Sequence, residues 1–126
     1  MSDTINYMEV LANGAVAVVA LLHIVFLVVE MFLWTKPAGM RAFGLDAERA
    51  RITATLAANQ GLYNGFLSAG LIWSLFATGN RWPIQLFFLS CVIIAGVFGA
   101  VTVDKSILVI QAIPGVIALI LAYLAN

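Results

Sequence analysis

The sequence predicts an all-α integral membrane protein, a four-helix bundle of up-down-up-down topology. Composition is the first sign: 63% of the 126 residues are hydrophobic and 10% are charged, against roughly 45–50% and ~25% in an ordinary soluble domain. Segmentation is the second, because four apolar stretches near the ~20 residues that a bilayer core requires are separated by short polar breaks. The spans and breaks together use up the chain. Residues 1–126 are therefore expected to form a single transmembrane domain, with any chemistry in the bundle or its loops.

Residues 10–34, VLANGAVAVVALLHIVFLVVEMFLW, make the first span. Thr35, Lys36 and Pro37 stop it, since proline cannot continue the hydrogen-bond ladder. The N-terminal stretch carries Asp3 and Glu9 and no Lys or Arg before Lys36, the wrong opening for a secretory signal peptide, so this span is expected to stay in the mature protein. Residues 52–76 make the second span. Asp46 in GLDAERA is the expected N-cap, which starts that helix before the membrane and puts Glu48, Arg49 and Arg51 on a cytosolic extension.

In TGNRWP, Gly79 and Asn80 form a turn, and Arg81 with Trp82 anchors the chain at the interface. The third span is residues 82–103, Asp104 and Lys105 break it, and the fourth is residues 107–124. Cys91, Ala95 and Gly99 recur four apart on span three, with Gly96 and Ala100 beside them, a spacing that lets helix backbones approach closely. On span four, Pro114 in IQAIPG should kink the helix and free a carbonyl for a polar partner, with Gln111 close by.

Charge sets the orientation. Loop 35–51 holds Lys36, Arg41, Arg49 and Arg51, and the third loop holds Lys105, whereas Arg81 alone lies on the other side. The positive-inside bias places both of those loops in the cytoplasm and the N- and C-termini outside it, as a multi-pass protein of the cell (inner) membrane. Six Lys+Arg balance six Asp+Glu, which leaves no footprint for nucleic acid. A single Cys91 rules out an intramolecular disulfide and reads as a packing residue.

Polar residues inside such a chain need partners. His23 and Glu30 lie seven residues apart on nearly one face of span one, about 10 Å along an ideal helix, too far for a direct hydrogen bond. Glu30, one turn from Trp34, can form a boundary ion pair with Arg49 or Arg51, or serve as a functional carboxylate suited to proton transfer near neutral pH. His23, nearer the midplane, is either a hydrogen-bonded structural residue or a proton-handling or ligand group. These two are the catalytic candidates. No metal site is expected, because their spacing is not the three or four residues that bring two ligands to one helical site, and no second His exists.

Span two carries LAANQGLYNGF, dense in carboxamides. Thr55, Asn59 and Tyr63 form one stripe and Thr53, Gln60 and Asn64 a second, about a quarter-turn round, with Gly61, Gly65 and Gly70 on much of the remaining surface. Such a sector faces protein or a water-filled cavity rather than lipid. Hydrogen bonds between helices explain it in one reading. In the other, Asn59, Gln60, Tyr63 and Asn64 join His23, Glu30 and Arg51 around a polar cavity toward the cytoplasmic half.

The motifs HIVFLVVEMFLW (residues 23–34) and LAANQGLYNGFLSAGLIW (residues 56–73) resemble a domain-of-unknown-function family of small bacterial four-span integral membrane proteins, over essentially the whole chain. That resemblance implies the same fold and topology and brings no activity with it. A more distant similarity is to the membrane-associated eicosanoid and glutathione metabolism proteins, four-span trimers that bind glutathione between subunits. Their second helix carries an Arg, then an Asn four residues on and a Glu three after that; laid on this chain the Asn falls at Asn59. The two charged positions fall at Thr55 and Leu62, with Arg51 one turn before the first and Tyr63 beside the second. A tripeptide with two carboxylates needs cationic clamps, so that likeness implies architecture and a homo-oligomer, by analogy a trimer, more than it implies chemistry.

Three functional readings stay open. The leading one is a polar intramembrane cavity that binds a small or amphipathic ligand without transforming it. A second is a membrane enzyme acting on a lipophilic substrate, glutathione-related in one version, with Glu30 or His23 as acid or base. The third is an oligomeric proton or ion transporter component; a purely structural role stands beside it. No cofactor fingerprint or nucleophile motif decides among them.

Overall fold

A computed structural model describes Thr4 and residues 6–126, so Asp3 lies outside the described residues. Every regular element among them is helical: α1 (Tyr7–Val28), α2 (Pro37–Phe43), α3 (Ala47–Phe76), α4 (Trp82–Thr102) and α5 (Ile113–Leu124). Two π-helical segments adjoin these helices, Val29–Leu33 after α1 and Leu108–Ala112 before α5. The all-α expectation is met. Two stretches, Tyr7–Leu33 and Trp82–Thr102, are long and apolar enough to cross a bilayer, and Leu108–Leu124 is a shorter apolar helix. The chain divides into two compact units, Leu21–Ser68 and the combination of Met1–Ala20 with Ala69–Asn126.

In the unit Leu21–Ser68, the stretch expected as loop 35–51 contains a helix. Pro37 opens α2 at its first position, where a missing N–H costs nothing, and Gly44 closes it in the left-handed region (φ 62°), its N–H reaching Met40 O. Leu45 N–H also reaches Met40 O at 2.9 Å. This helix packs on the π segment Val29–Leu33 through the buried Gly39, where any side chain would run into the Leu33 carbonyl. Asp46 caps α3 as the sequence suggests, Oδ1 accepting from Arg49 N–H at 2.8 Å.

The other unit is organised by α4 against α5 and the π segment Leu108–Ala112. The small residue that permits this is Gly96: a Cβ built there would sit 2.9 Å from Ala112 N and 3.1 Å from its Cα. Gly99 lies against Ile107 and Gly115 against Ile93 and Val92. The close approach thus runs along Val92, Gly96 and Gly99 rather than through Ala95, which is exposed. Pro114 falls in the first turn of α5, directly after the π segment, whose end is marked by Ile113 N–H reaching back five residues to Leu108 O. Gln111 spends its amide on packing, Nε2 donating to Val92 O at 3.1 Å.

Small residues fill the interior while large apolar ones face out. Ala50, Ala57, Ala112, Ala118 and Ala122 are buried, whereas Leu56, Phe76, Phe98 and Val101 are each well over half exposed. That is the reverse of the ordinary soluble arrangement, in which Leu and Phe are among the residues most often buried.

Candidate functional site

The candidate site belongs to the unit Leu21–Ser68, where the π segment after α1 meets α3. Ala57, Gly61, Asn64 and Ser68 recur at three- and four-residue spacing, so they share one helix face, and all four are buried. Gly61 sets the approach. A Cβ there would lie 3.1 Å from Glu30 Cβ and 2.7 Å from Met31 Cγ, so only a hydrogen at that position lets the π segment come so close. One turn further on, Asn64 Nδ2 donates to Glu30 Oε1 at 3.0 Å.

Glu30 is 8% exposed, and its second oxygen, Oε2, has no hydrogen-bond partner among the described residues. Buried acceptors in folded proteins almost always have one. Glu30 sits in the π segment, and π-bulges recur at functional sites because the wider turn displaces side chains from the regular helical pattern. The Glu30 carboxylate therefore takes Asn64, and the boundary ion pair with Arg49 or Arg51 does not form; both arginines are exposed.

His23 is fully buried in the same unit, edge-on to Phe26 with ring centroids 5.3 Å apart. The remaining predicted wall divides by helix face. Asn64 turns inward, while Asn59, Gln60 and Tyr63 are exposed on α3, with Arg51 exposed earlier on the same helix. Tyr63 stands edge-on to Phe66 at 5.9 Å. Asn64 thus lies on the glycine face, not on the outer polar sector. No group of three or more metal-ligating side chains forms among the described residues.

Two contributors were not anticipated. Trp34 Nε1 donates to Thr53 Oγ1 at 2.9 Å, and Thr53 in turn donates to Arg49 O at 2.6 Å. This chain ties the residue after the π segment to the first turns of α3, with Phe43 of α2 packed on the indole at 4.8 Å. Gly61 is the other, since it admits the carboxylate to Asn64. Its signal in the sequence was the three-residue step from Gly61 to Asn64, which puts small residue and carboxamide on one face.

Comparison with known proteins agrees with this description of the chain. A family model described as "Protein of unknown function (DUF1304)" matches residues 17–123. A protein of Lactococcus lactis subsp. lactis (strain IL1403), described as uncharacterized protein YpaA, is 29% identical over 107 residues, covering 83% of this chain and 90% of the relative. No solved structure matches.

Proposed function

The chain belongs to the DUF1304 family of proteins of unknown function, and from its geometry we propose that it is a multi-pass membrane protein that binds a small or amphipathic ligand at Glu30 and Asn64. The observation that carries this reading is the half-satisfied carboxylate: Oε1 is held by Asn64 while buried Oε2 lacks a donor. Leaving such an acceptor unmet costs roughly 1–3 kcal/mol. A ligand bearing a hydroxyl or amine would recover that cost, and its hydrocarbon part would find the large exposed apolar side chains of the spans. A hydrogen-bond donor on an apolar body is the chemistry that fits.

The membrane setting rests on the two apolar helices of spanning length and on the outward-facing Leu, Val and Phe side chains. In this proposal the other two apolar segments also cross, with loops one and three in the cytoplasm of the cell membrane, as the basic residues favour. Asn59, Gln60 and Tyr63, exposed on α3, are then covered by a second copy of the chain. Carboxamides both donate and accept, so identical faces satisfy one another in a homo-oligomer.

The test is thermal unfolding in mild detergent with matched long-chain alcohols, amines and carboxylates. Alcohols or amines should raise Tm, carboxylates should not, and both Glu30→Gln and Asn64→Leu should abolish the rise. A shift that survives in both variants would move the site elsewhere and sink the proposal.

A further inference from the structure

A second polar feature lies in the unit that joins Met1–Ala20 with Ala69–Asn126, apart from Glu30 in sequence and in chemistry. Where α1 and α4 begin and α5 ends, a cavity of about 180 Å³ is lined by the polar side chains Glu9, Asn13, Arg81, Gln85 and Asn126. With each liquid water occupying about 30 Å³, the space suits a group of a few heavy atoms. Gln85 is 1% exposed, and its Nε2 has no hydrogen-bond partner among the described residues. A buried donor lining a polar cavity calls for an acceptor inside it.

Charge in the cavity has two poles. Arg81 and Glu9 meet at 3.4 Å on its rim, their side chains 25% and 49% exposed, and so exposed a pair is weak enough to open for a competitor. Two helix N-termini, those of α1 and α4, direct partial positive charge at this end, and the C-terminus of α5 directs partial negative charge. A ligand with one charge of each sign matches both poles. Trp82 and Tyr123 lie together at the same end, ring centroids 5.9 Å apart, the kind of aromatic pairing found at headgroup level in membrane proteins.

We propose that this cavity binds a small zwitterion, a primary ammonium joined by a short link to a phosphate or carboxylate. The anionic end takes Arg81 and Gln85 Nε2, and the ammonium takes the side-chain oxygens of Glu9 and Asn13. A primary ammonium can donate to both oxygens; a trimethylammonium cannot donate at all. The shared chemistry has two sources, the ethanolamine headgroup of a phospholipid or a free aminophosphate or amino acid.

Native mass spectrometry of the full chain from mild detergent, with dioleoyl phosphatidylethanolamine and phosphatidylcholine added in turn, tests the inference. The expected result is at least tenfold greater retention of the ethanolamine lipid. Glu9→Gln, isosteric and on the exposed rim, should erase that preference without changing Tm, and Gln85→Leu should cut retention at least tenfold. Displacement by free phosphoethanolamine or glycine assigns a soluble zwitterion, and retention of the diacyl lipid against both assigns the bilayer; either supports the site. Equal retention of the two lipids, retention of neither, or a preference that survives both substitutions would overturn it. Glu30→Gln should leave the preference intact, which keeps this outcome separate from the fate of the Glu30–Asn64 site.

Discussion

Two glycines on apolar helices should respond to alanine with opposite signs. At Gly96 a methyl group would stand 2.9 Å from Ala112 N and 3.1 Å from Ala112 Cα and Cβ, so two of its three nearest neighbours are backbone atoms that cannot rotate away. At Gly14, in the exposed first half of α1, nothing lies within 4 Å of the same methyl. Alanine gains about 1 kcal/mol over glycine in a helix interior, and that gain applies at both positions. Overpacking costs about 1–3 kcal/mol where structure must move; the backbone contacts at Gly96 put it at the upper end. The net expectation is a loss of about 1–2 kcal/mol for Gly96→Ala and a gain of up to about 1 kcal/mol for Gly14→Ala. Reversible unfolding in mixed micelles, followed by far-UV circular dichroism, measures both against wild type. Equal or greater stability of Gly96→Ala would refute the close approach of α4 to the π segment Leu108–Ala112.

Other expectations follow from single contacts. Trp34→Phe and Thr53→Val each remove the indole–hydroxyl bond and should cost about 1 kcal/mol; the double variant should cost clearly less than their sum, and strict additivity would argue against the bond. The Ser106 backbone N–H, 2.8 Å from Asp104 Oδ1, and then the Ser106 hydroxyl hold the Asp104 carboxyl below the usual carboxylate range. Because the folded value lies below the unfolded one, this contribution is present above the unfolded value and is lost as pH falls through the folded one. Ser106→Ala deletes only the hydroxyl, so carboxyl-carbon NMR should find the Asp104 midpoint moved part of the way up; no movement would remove the hydroxyl from the account.

Much of the helix layout was legible because it rests on local chemistry. Asp46 reads as a cap from its type and place before a helical run, and it is one. Helix α2 carries an equally local signature, Pro37 at its start and Gly44 just past its end, but loop composition and a length of 7 residues hid it. Rotation about a helix axis was harder to read. Asn59, Gln60 and Asn64 look alike in a polar cluster, yet the first two are exposed while Asn64 is buried. What separates them is the partner surface: Gly61 admits the π segment beside Asn64, and a single sequence does not say which face that segment approaches. The ion pair expected for Glu30 failed for the same reason. Proximity in height to Arg49 and Arg51 could be counted along the chain, whereas the turn that directs Glu30 to Asn64 could not.

The π segments give the chain a sensitivity to length that is unusual for apolar helices. Each places an i→i−5 geometry inside a span, equivalent to one residue more than an α-helix needs for the same rise. Removing a single residue from Val29–Leu33 would restore α-helical winding and turn everything beyond it by about 100°. Trp34 would then leave Thr53, and Glu30 would lose its displaced position, in one event. The buried acid and the indole anchor are therefore inherited as a pair: an insertion or deletion in five residues sets both, and point substitutions at neither can replace it.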